Sequence, residues 1–325
     1  MKICIVGAGA IGGFLGTRLA ITEGTRVSAL ARGATLAALR THGWRLQQDG
    51  MALQAPAVAS DDPAALGIQD LVVIAVKGQS LPPLAASLAS LIGPDTIILP
   101  ALNGVPWWFS ESLPALRGRP LESVDPGGAI ARVLPLPKIV GCVVHVSAST
   151  PEPGLVEHKM GRGLIVGEPD GGESERVSRL AALFSRAGFE LTCSSQIHYD
   201  VWYKLWGNMT ANPVSALTGA TMDRVLDDEL VRELCAQAMR EAGMIGTRIG
   251  CPIDQTPADR MAITSKLGVF RTSMLQDAQA GRTLELDALI GSVREIGQRV
   301  GVKTPTIDAL FGLARLFGRT HGLYP

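Results

Sequence analysis

The fold is decided by the stretch KICIVGAGAIGG at residues 2–13 of this 325-residue chain. Its uncharged run Ile3–Val6 predicts a buried strand that leads directly into a glycine-rich turn and then an apolar helical pattern. The turn has the spacing GxGxxG, over Gly7, Ala8, Gly9, Ala10, Ile11 and Gly12. In such a unit the first glycine permits the tight turn, the second lets backbone approach a pyrophosphate, and the third allows close helix–sheet packing. These six residues are therefore predicted to bind a dinucleotide cofactor.

Outward from this stretch, short apolar runs alternate with helical patterns. Strands are predicted at residues 3–6, 26–30, 71–76 and 96–99, and helices at 11–21, 34–39 and 81–91. This alternation is typical of a parallel, doubly wound sheet. Trp44–Gln54 predicts an inserted hairpin around Asp49-Gly50. Runs between residues 139 and 167 predict antiparallel strands that finish the sheet.

From Gln196 onward the strand signals disappear and helical periodicity takes over. The segments concerned are 199–211, 228–249, 258–278, 285–300 and 306–317. A chain of this length is expected to form two domains of roughly 150 residues. The sequence therefore predicts an α/β Rossmann-type, doubly wound domain over residues 1–195, followed by an all-helical substrate and catalytic domain over residues 196–325.

Composition excludes several classes of protein. Thirty basic and thirty acidic residues give a formal net charge of zero, which removes the electrostatic case for a nucleic-acid or membrane partner. Five scattered cysteines and five scattered histidines indicate neither a disulfide framework nor a metal site.

The N-terminal run resembles a signal peptide, but its glycines interrupt the apolar region. No run reaches the ~18–20 apolar residues of a membrane span. A cytoplasmic protein is expected.

Arg32 bears on the choice of cofactor. Folds that prefer NAD usually carry an acidic residue about 20 residues after the glycine turn, whereas here the second strand ends in Leu30-Ala31-Arg32-Gly33. A guanidinium suits a 2′-phosphate, so NADP is predicted, with a solvated loop arginine as the alternative.

A polar stripe follows the predicted domain boundary. Lys204, Asn208 and Asn212 are spaced four residues apart, which on a helix places them on one face among apolar neighbours. Such a face supplies a proton donor and hydrogen-bonding groups for reduction of a carbonyl, although an ordinary solvated face has the same pattern. Pro213 is expected to break or kink the helix just after the stripe.

Together with further segments, this stripe resembles the ketopantoate reductase (2-dehydropantoate 2-reductase) family. The pattern Lys-x3-Asn-x3-Asn is followed by Pro213–Leu217, Lys77 ends a strand in Ala-Val-Lys, and Asn103 lies in Leu-Asn-Gly-Val. Ser273 precedes Glu285 by twelve residues, as in the Ser…Glu pair of that family. The matches run in order from residue 7 to residue 287 and cover both predicted domains.

The resemblance implies NADPH-dependent reduction of the small-molecule 2-oxo acid 2-dehydropantoate to (R)-pantoate, without a metal. Lys204 would be the general acid and Glu285 would position it. The substrate would be held by Asn103, Asn208, Asn212 and Ser273. Lys77 and Asn103 would contact the cofactor. A homodimer is one assembly compatible with the sequence.

Each of these residues also has an ordinary structural interpretation: Asn103-Gly104 as a turn pair, Ser273 bonded to its own helix, Glu285 at a helix N-terminus and Lys77 at the surface. His145 and His158 are interpreted as structural. The chain departs from the family where Thr218–Asp223 lacks an expected asparagine, and Val124–Gly128 resembles an extended subgroup. Open alternatives are reduction of another 2-oxo acid, a β-hydroxyacid dehydrogenase, or a non-catalytic NADP-binding sensor.

Overall fold

A computed structural model describes residues 1–325, which pack into two compact units. Unit 1 comprises Met1–Leu102 and Gly128–Asp200, and unit 2 comprises Asn103–Gly127 and Val201–Pro325. Sequence periodicity did not anticipate that Asn103–Gly127 would group with the carboxyl-terminal helices. A single boundary between residues 195 and 196 stays a prediction.

The first sheet of unit 1 is parallel and consists of five strands: β1 (Lys2–Val6), β2 (Arg26–Leu30), β5 (Val58–Ser60), β6 (Gln69–Ile74) and β7 (Ile92–Pro100). They lie side by side in the order β5-β2-β1-β6-β7. β1 is central because Ile3–Val6 is apolar on both faces, and all four of these residues are fully buried. The connecting helices are α1 (Ala10–Ala20), α2 (Gly33–His42) and α3 (Leu81–Ala85), the last continued by a 3-10 turn over Ala86–Leu91. This confirms the predicted doubly wound sheet.

A second sheet contains the strands that were predicted to complete the first. The hairpin of β3 (Trp44–Gln48) and β4 (Met51–Ala55) turns at Asp49-Gly50, as expected, with positive φ at both residues. β3 pairs with β9 (Leu155–Gly167), which also pairs with β8 (Gly141–Glu152) and β10 (Glu190–Cys193). The expectation that residues 139–167 finish the first sheet is therefore wrong. Only one bridge, Ile98 to Ile139, links these segments, because β9 finds its partners in the hairpin and β10 instead.

Helix α1 lies against both sheets because glycines line its two packing faces. A Cβ on Gly12 would lie 1.9 Å from the Gly7 carbonyl oxygen beside β1. On the other face, a Cβ on Gly16 would meet the Trp44 ring of β3 at 2.4 Å. No larger residue fits these approaches. The amino end of α1 is thereby held at the carboxyl edge of β1, where ligands bind in folds of this kind.

Unit 2 is helical, as predicted. It contains α4 (Phe109–Ser112), most of α6 (Ile197–Thr218), α7 (Met222–Asp227), α8 (Glu229–Ile249), α9 (Pro257–Ser265), α10 (Ser273–Gln279), α11 (Ser292–Arg299) and α12 (Pro305–Thr320), while α5 (Glu175–Arg186) belongs to unit 1. A π-helical turn spans Asp287–Gly291. None of the helices combines the length and the apolar character needed to cross a bilayer.

Two helical predictions need correction. Pro213 does not break α6, which runs five residues further, so the expectation of a break is wrong, while a kink at Pro213 stays a prediction. The buried residues on both sides of Pro213, Asn212 and Val214–Ala216, hold the helix against its neighbours despite the lost backbone hydrogen bond. The segment 258–278 forms two helices instead of one, because Gly268 adopts a positive φ within an exposed stretch between them.

Candidate active site

The glycine turn of unit 1 leaves its backbone open to a ligand. Gly7 has φ +92°, and a Cβ there would lie 2.6 Å from Val76, so the turn is closely packed on that side. A Cβ on Gly9, in contrast, would meet nothing within 4 Å. Gly9 is also the N-cap of α1, which has no side-chain cap and no acidic residue in its first turn. The first amides of the helix thus lack an intramolecular acceptor, and an anionic group fits there.

Arg32 and Lys77 lie at the same edge of the sheet as this turn. The Gly7 N–H donates to the Leu30 carbonyl at 3.0 Å, two residues before Arg32. Arg32 is exposed at the N-cap of α2. On the other side, the Ala75 N–H donates to the Val6 carbonyl, two residues before the partly buried Lys77. The strand order that puts β2 and β6 on opposite sides of β1 brings the segments that carry these two residues to the same edge as the glycine turn.

In unit 2 the structure joins two predicted residues that are 101 positions apart. The Lys204 ammonium donates to Asn103 Oδ1 at 3.0 Å, and both side chains are partly buried. Lys204 stands on α6, whereas Asn103 begins the segment that connects β7 to α4. The amide oxygen can only accept this hydrogen bond, so the ammonium is the donor and Asn103 fixes the direction of one of its N–H groups.

The segment that carries Asn103 is tied to the turn that follows Glu285. The Val105 N–H donates to the Ala288 carbonyl at 2.8 Å. Gly104 has φ +78°, and a Cβ there would lie 2.3 Å from the same carbonyl oxygen. Glu285 itself is partly exposed and precedes the π-helical turn by two residues. The loop of Asn103–Val105 therefore contacts both Lys204 and the turn that follows Glu285.

The remaining predicted substrate ligands differ in exposure. Asn208 is partly exposed one turn after Lys204, while Asn212, one turn further, is only 5% exposed. Ser273 is exposed in the first turn of α10, whose N-cap is Thr272. The roles of these three side chains in holding the substrate stay predictions.

Sequence reasoning missed a contact that braces the Glu285 segment. The Tyr324 hydroxyl donates to Asp287 Oδ1 at 2.8 Å, and the Leu284 N–H donates to the Leu323 carbonyl at 2.9 Å. Burial raises the pKa of Asp287, and burial together with this carboxyl raises the pKa of Tyr324 to about 12. The two residues are 37 positions apart, and no local sequence pattern predicts that they meet.

Groups of three or more His, Cys, Asp or Glu side chains placed to hold a metal ion are absent.

Comparison with known proteins agrees with this arrangement. The profile "Ketopantoate reductase PanE/ApbA" matches residues 3–171, and "Ketopantoate reductase PanE/ApbA C terminal" matches residues 196–317. A 2-dehydropantoate 2-reductase of Mesorhizobium japonicum is 42% identical over the full length of both chains. A protein of Ralstonia solanacearum MolK2 assigned as a ketopantoate reductase has a TM-score of 0.95 and 55% identity, with 99% of each chain covered.

A more distant structure shares the fold alone. D-mandelate dehydrogenase, solved with NADH and anilino(oxo)acetate, has a TM-score of 0.84 at 22% identity, over 99% of this chain and 100% of that chain. The two profiles together cover most of the chain in the expected order, which confirms the resemblance seen in the sequence. The chain belongs to the ketopantoate reductase PanE/ApbA family.

Proposed function

We propose that the chain catalyses the NADPH-dependent reduction of 2-dehydropantoate to (R)-pantoate. The contact between Lys204 and Asn103 carries the proposal, because it joins an ammonium, which can give up a proton, to a second residue of the predicted substrate site. Family membership supports the reaction class, since the relatives that cover the whole chain include a 2-dehydropantoate 2-reductase.

The glycine turn fits a nicotinamide dinucleotide. Space over Gly9 and the uncapped start of α1 suit the pyrophosphate. Arg32, exposed beside this turn, would pair with the 2′-phosphate of NADPH, and Lys77 would add a second cation. When bound, NADPH supplies the hydride that reduces the substrate carbonyl carbon.

Lys204 would act as the general acid. As the carbonyl oxygen gains negative charge, the ammonium stabilises that charge and then transfers a proton to the oxygen, which gives the hydroxyl of the product and a neutral amine. Asn103 Oδ1 accepts one ammonium hydrogen and so orients the other two. A lysine suits this role because its pKa responds to its surroundings, whereas an arginine stays protonated.

Glu285 would position Lys204 and the substrate hydroxyl, while Asn208, Asn212 and Ser273 would hold polar groups of the substrate. The support for Glu285 is that its segment is docked onto the Asn103 loop through Val105 and Ala288. We place the reaction in the cytoplasm, where the five free cysteines of the chain stay reduced. A homodimer stays a prediction that light scattering would test.

The decisive experiment is a panel of 2-oxo acids with purified protein, each assayed for consumption of NADPH and of NADH. We expect 2-dehydropantoate with NADPH to give the highest kcat/KM. A Lys204→Ala protein prepared in parallel should lose about 10²–10⁴-fold in kcat, while the exposed Lys303→Ala serves as the matched control and should keep full activity.

If another acid of the panel gives the highest kcat/KM, that acid and not 2-dehydropantoate is the substrate of this chain. Cofactor binding without turnover of any acid would favour the NADP-binding sensor. Full activity of the Lys204→Ala protein would show that the proton comes from another group.

A further inference from the structure

One face of α6 stays accessible around the proposed general acid. Between residues 201 and 212 the partly exposed positions are Tyr203, Lys204, Gly207, Asn208 and Ala211, and every other position is buried. At about 100° per residue these five positions form one continuous strip along the helix. Lys204 and Asn208 occupy one side of this strip, and Tyr203 and Gly207 occupy the other.

Arg260 of α9 covers the Tyr203–Gly207 side of the strip. Its guanidinium carbon lies 5.3 Å from the centre of the Tyr203 ring. A Cβ on Gly207 would lie 3.0 Å from an Nη atom of Arg260, so the absence of a side chain at Gly207 leaves the room that the guanidinium occupies. Tyr203 is in turn fixed by its hydroxyl, which donates to Gln255 at 2.8 Å.

The guanidinium has no acidic partner in the chain. Its Nε is buried and makes no hydrogen bond. The adjacent carboxylate, Asp259, is turned away and accepts from the Thr256 backbone N–H and hydroxyl at 3.0 and 2.7 Å. A partly buried cation without a counter-ion is costly, and an arginine presents a planar set of donors that matches a carboxylate. This feature points to an anionic ligand.

The placement of Arg260 against the same helix as Lys204 fits a 2-oxo acid, the substrate class of the proposed reaction. On a helix, positions three apart have Cβ atoms about 5–6 Å from each other, and the Arg260 guanidinium lies against Gly207, three positions after Lys204. A 2-oxo acid carries its carboxylate on the carbon next to the carbonyl. We propose that Arg260 binds the carboxylate of the 2-oxo acid while Lys204 addresses its carbonyl oxygen. This inference rests on the proposed function.

The test compares an acid with its neutral analogue. Wild type, Arg260→Met and Arg260→Lys are assayed with NADPH and either 2-dehydropantoate or its methyl ester, which lacks the negative charge. We expect Arg260→Met to lower the preference for acid over ester roughly 10- to 100-fold, chiefly through KM for the acid. Arg260→Lys should recover part of this preference, because the charge is kept and the planar donors are lost.

The matched control is Arg248→Met, an exposed arginine of α8, which should leave both activities and the melting temperature unchanged. Equal losses with acid and ester, or an unchanged KM for the acid in Arg260→Met, would overturn the proposal and leave the proposed reaction intact. If the wild type reduces neither compound nor any other 2-oxo acid, the proposed function itself fails, and the role of Arg260 fails with it.

Discussion

Substituting Gly104 by alanine tests whether the loop that carries Asn103 depends on its close approach to Ala288. The new Cβ would stand 2.3 Å from the Ala288 carbonyl oxygen, which is backbone and cannot rotate away. An alanine at φ +78° costs about 1–2 kcal/mol in the left-handed region. Displacing the loop also weakens the hydrogen bond from Val105 to Ala288, which is worth about 1 kcal/mol. The expected total is about 2–3 kcal/mol.

This loss should be visible in two measurements. For a unit of about 150 residues it corresponds to a fall in melting temperature of about 4–12 °C. Because Asn103 directly precedes Gly104 and accepts a hydrogen bond from Lys204, a displacement near 1 Å should also lower kcat, by up to about 10²-fold. NADPH affinity should fall far less than kcat, since the glycine turn, Arg32 and Lys77 belong to unit 1 and Asn103 alone of the predicted cofactor contacts lies in unit 2.

The control is Gly312→Ala in α12, where a Cβ meets nothing within 4 Å. Alanine is favoured over glycine inside a helix by about 0.5–1 kcal/mol, so this protein should melt at or slightly above the wild-type temperature. A Gly104→Ala protein with wild-type melting temperature and kcat would refute the inference that this contact positions Asn103.

Three further predictions concern the cofactor, the proposed active site and acid stability. Arg32→Ala should weaken NADPH binding by about ten- to a hundredfold and leave NADH nearly unchanged in parallel titrations, whereas equal losses would remove the 2′-phosphate assignment. Glu285→Ala should lower kcat/KM. If Glu285 and Lys204 serve one step, the double variant with Lys204→Ala should lose far less activation free energy, calculated from kcat/KM, than the sum of the two single losses. Strict additivity of these losses would show that the two residues act in separate steps. Burial alone would raise the pKa of Glu295, but hydrogen bonds from the Ser123 hydroxyl and backbone and neighbouring donors lower it below the ordinary value of 4.5. A carboxyl whose pKa is depressed in the folded state contributes stability above its unfolded pKa and loses it as the pH falls through the folded value. The difference in melting temperature between wild type and Glu295→Gln should therefore be largest near neutral pH and shrink below pH 4.5, and a difference that does not vary with pH would contradict this assignment.

The features that the sequence determined by itself are local. The strand, turn and helix of residues 2–20 follow from consecutive residues, because apolar runs, glycine conformations and helical periodicity act over a few positions. The same periodicity put Lys204 and Asn208 on one face of α6, and both lie on its accessible strip. The Asp49-Gly50 hairpin was equally visible, since its turn needs two residues at positive φ.

What only the tertiary structure decided is which distant segments meet. Residues 103 and 204 are joined by a hydrogen bond, β9 pairs in a second sheet instead of extending the first, and Arg260 lies over Gly207. None of these contacts has a signal in the neighbouring residues, because each depends on loop closure and on which buried surfaces fit together. Tertiary packing also decided the course of the chain at Pro213. A proline tends to end a helix, but the residues around Pro213 are buried, and this burial outweighs that tendency, so α6 continues to Thr218.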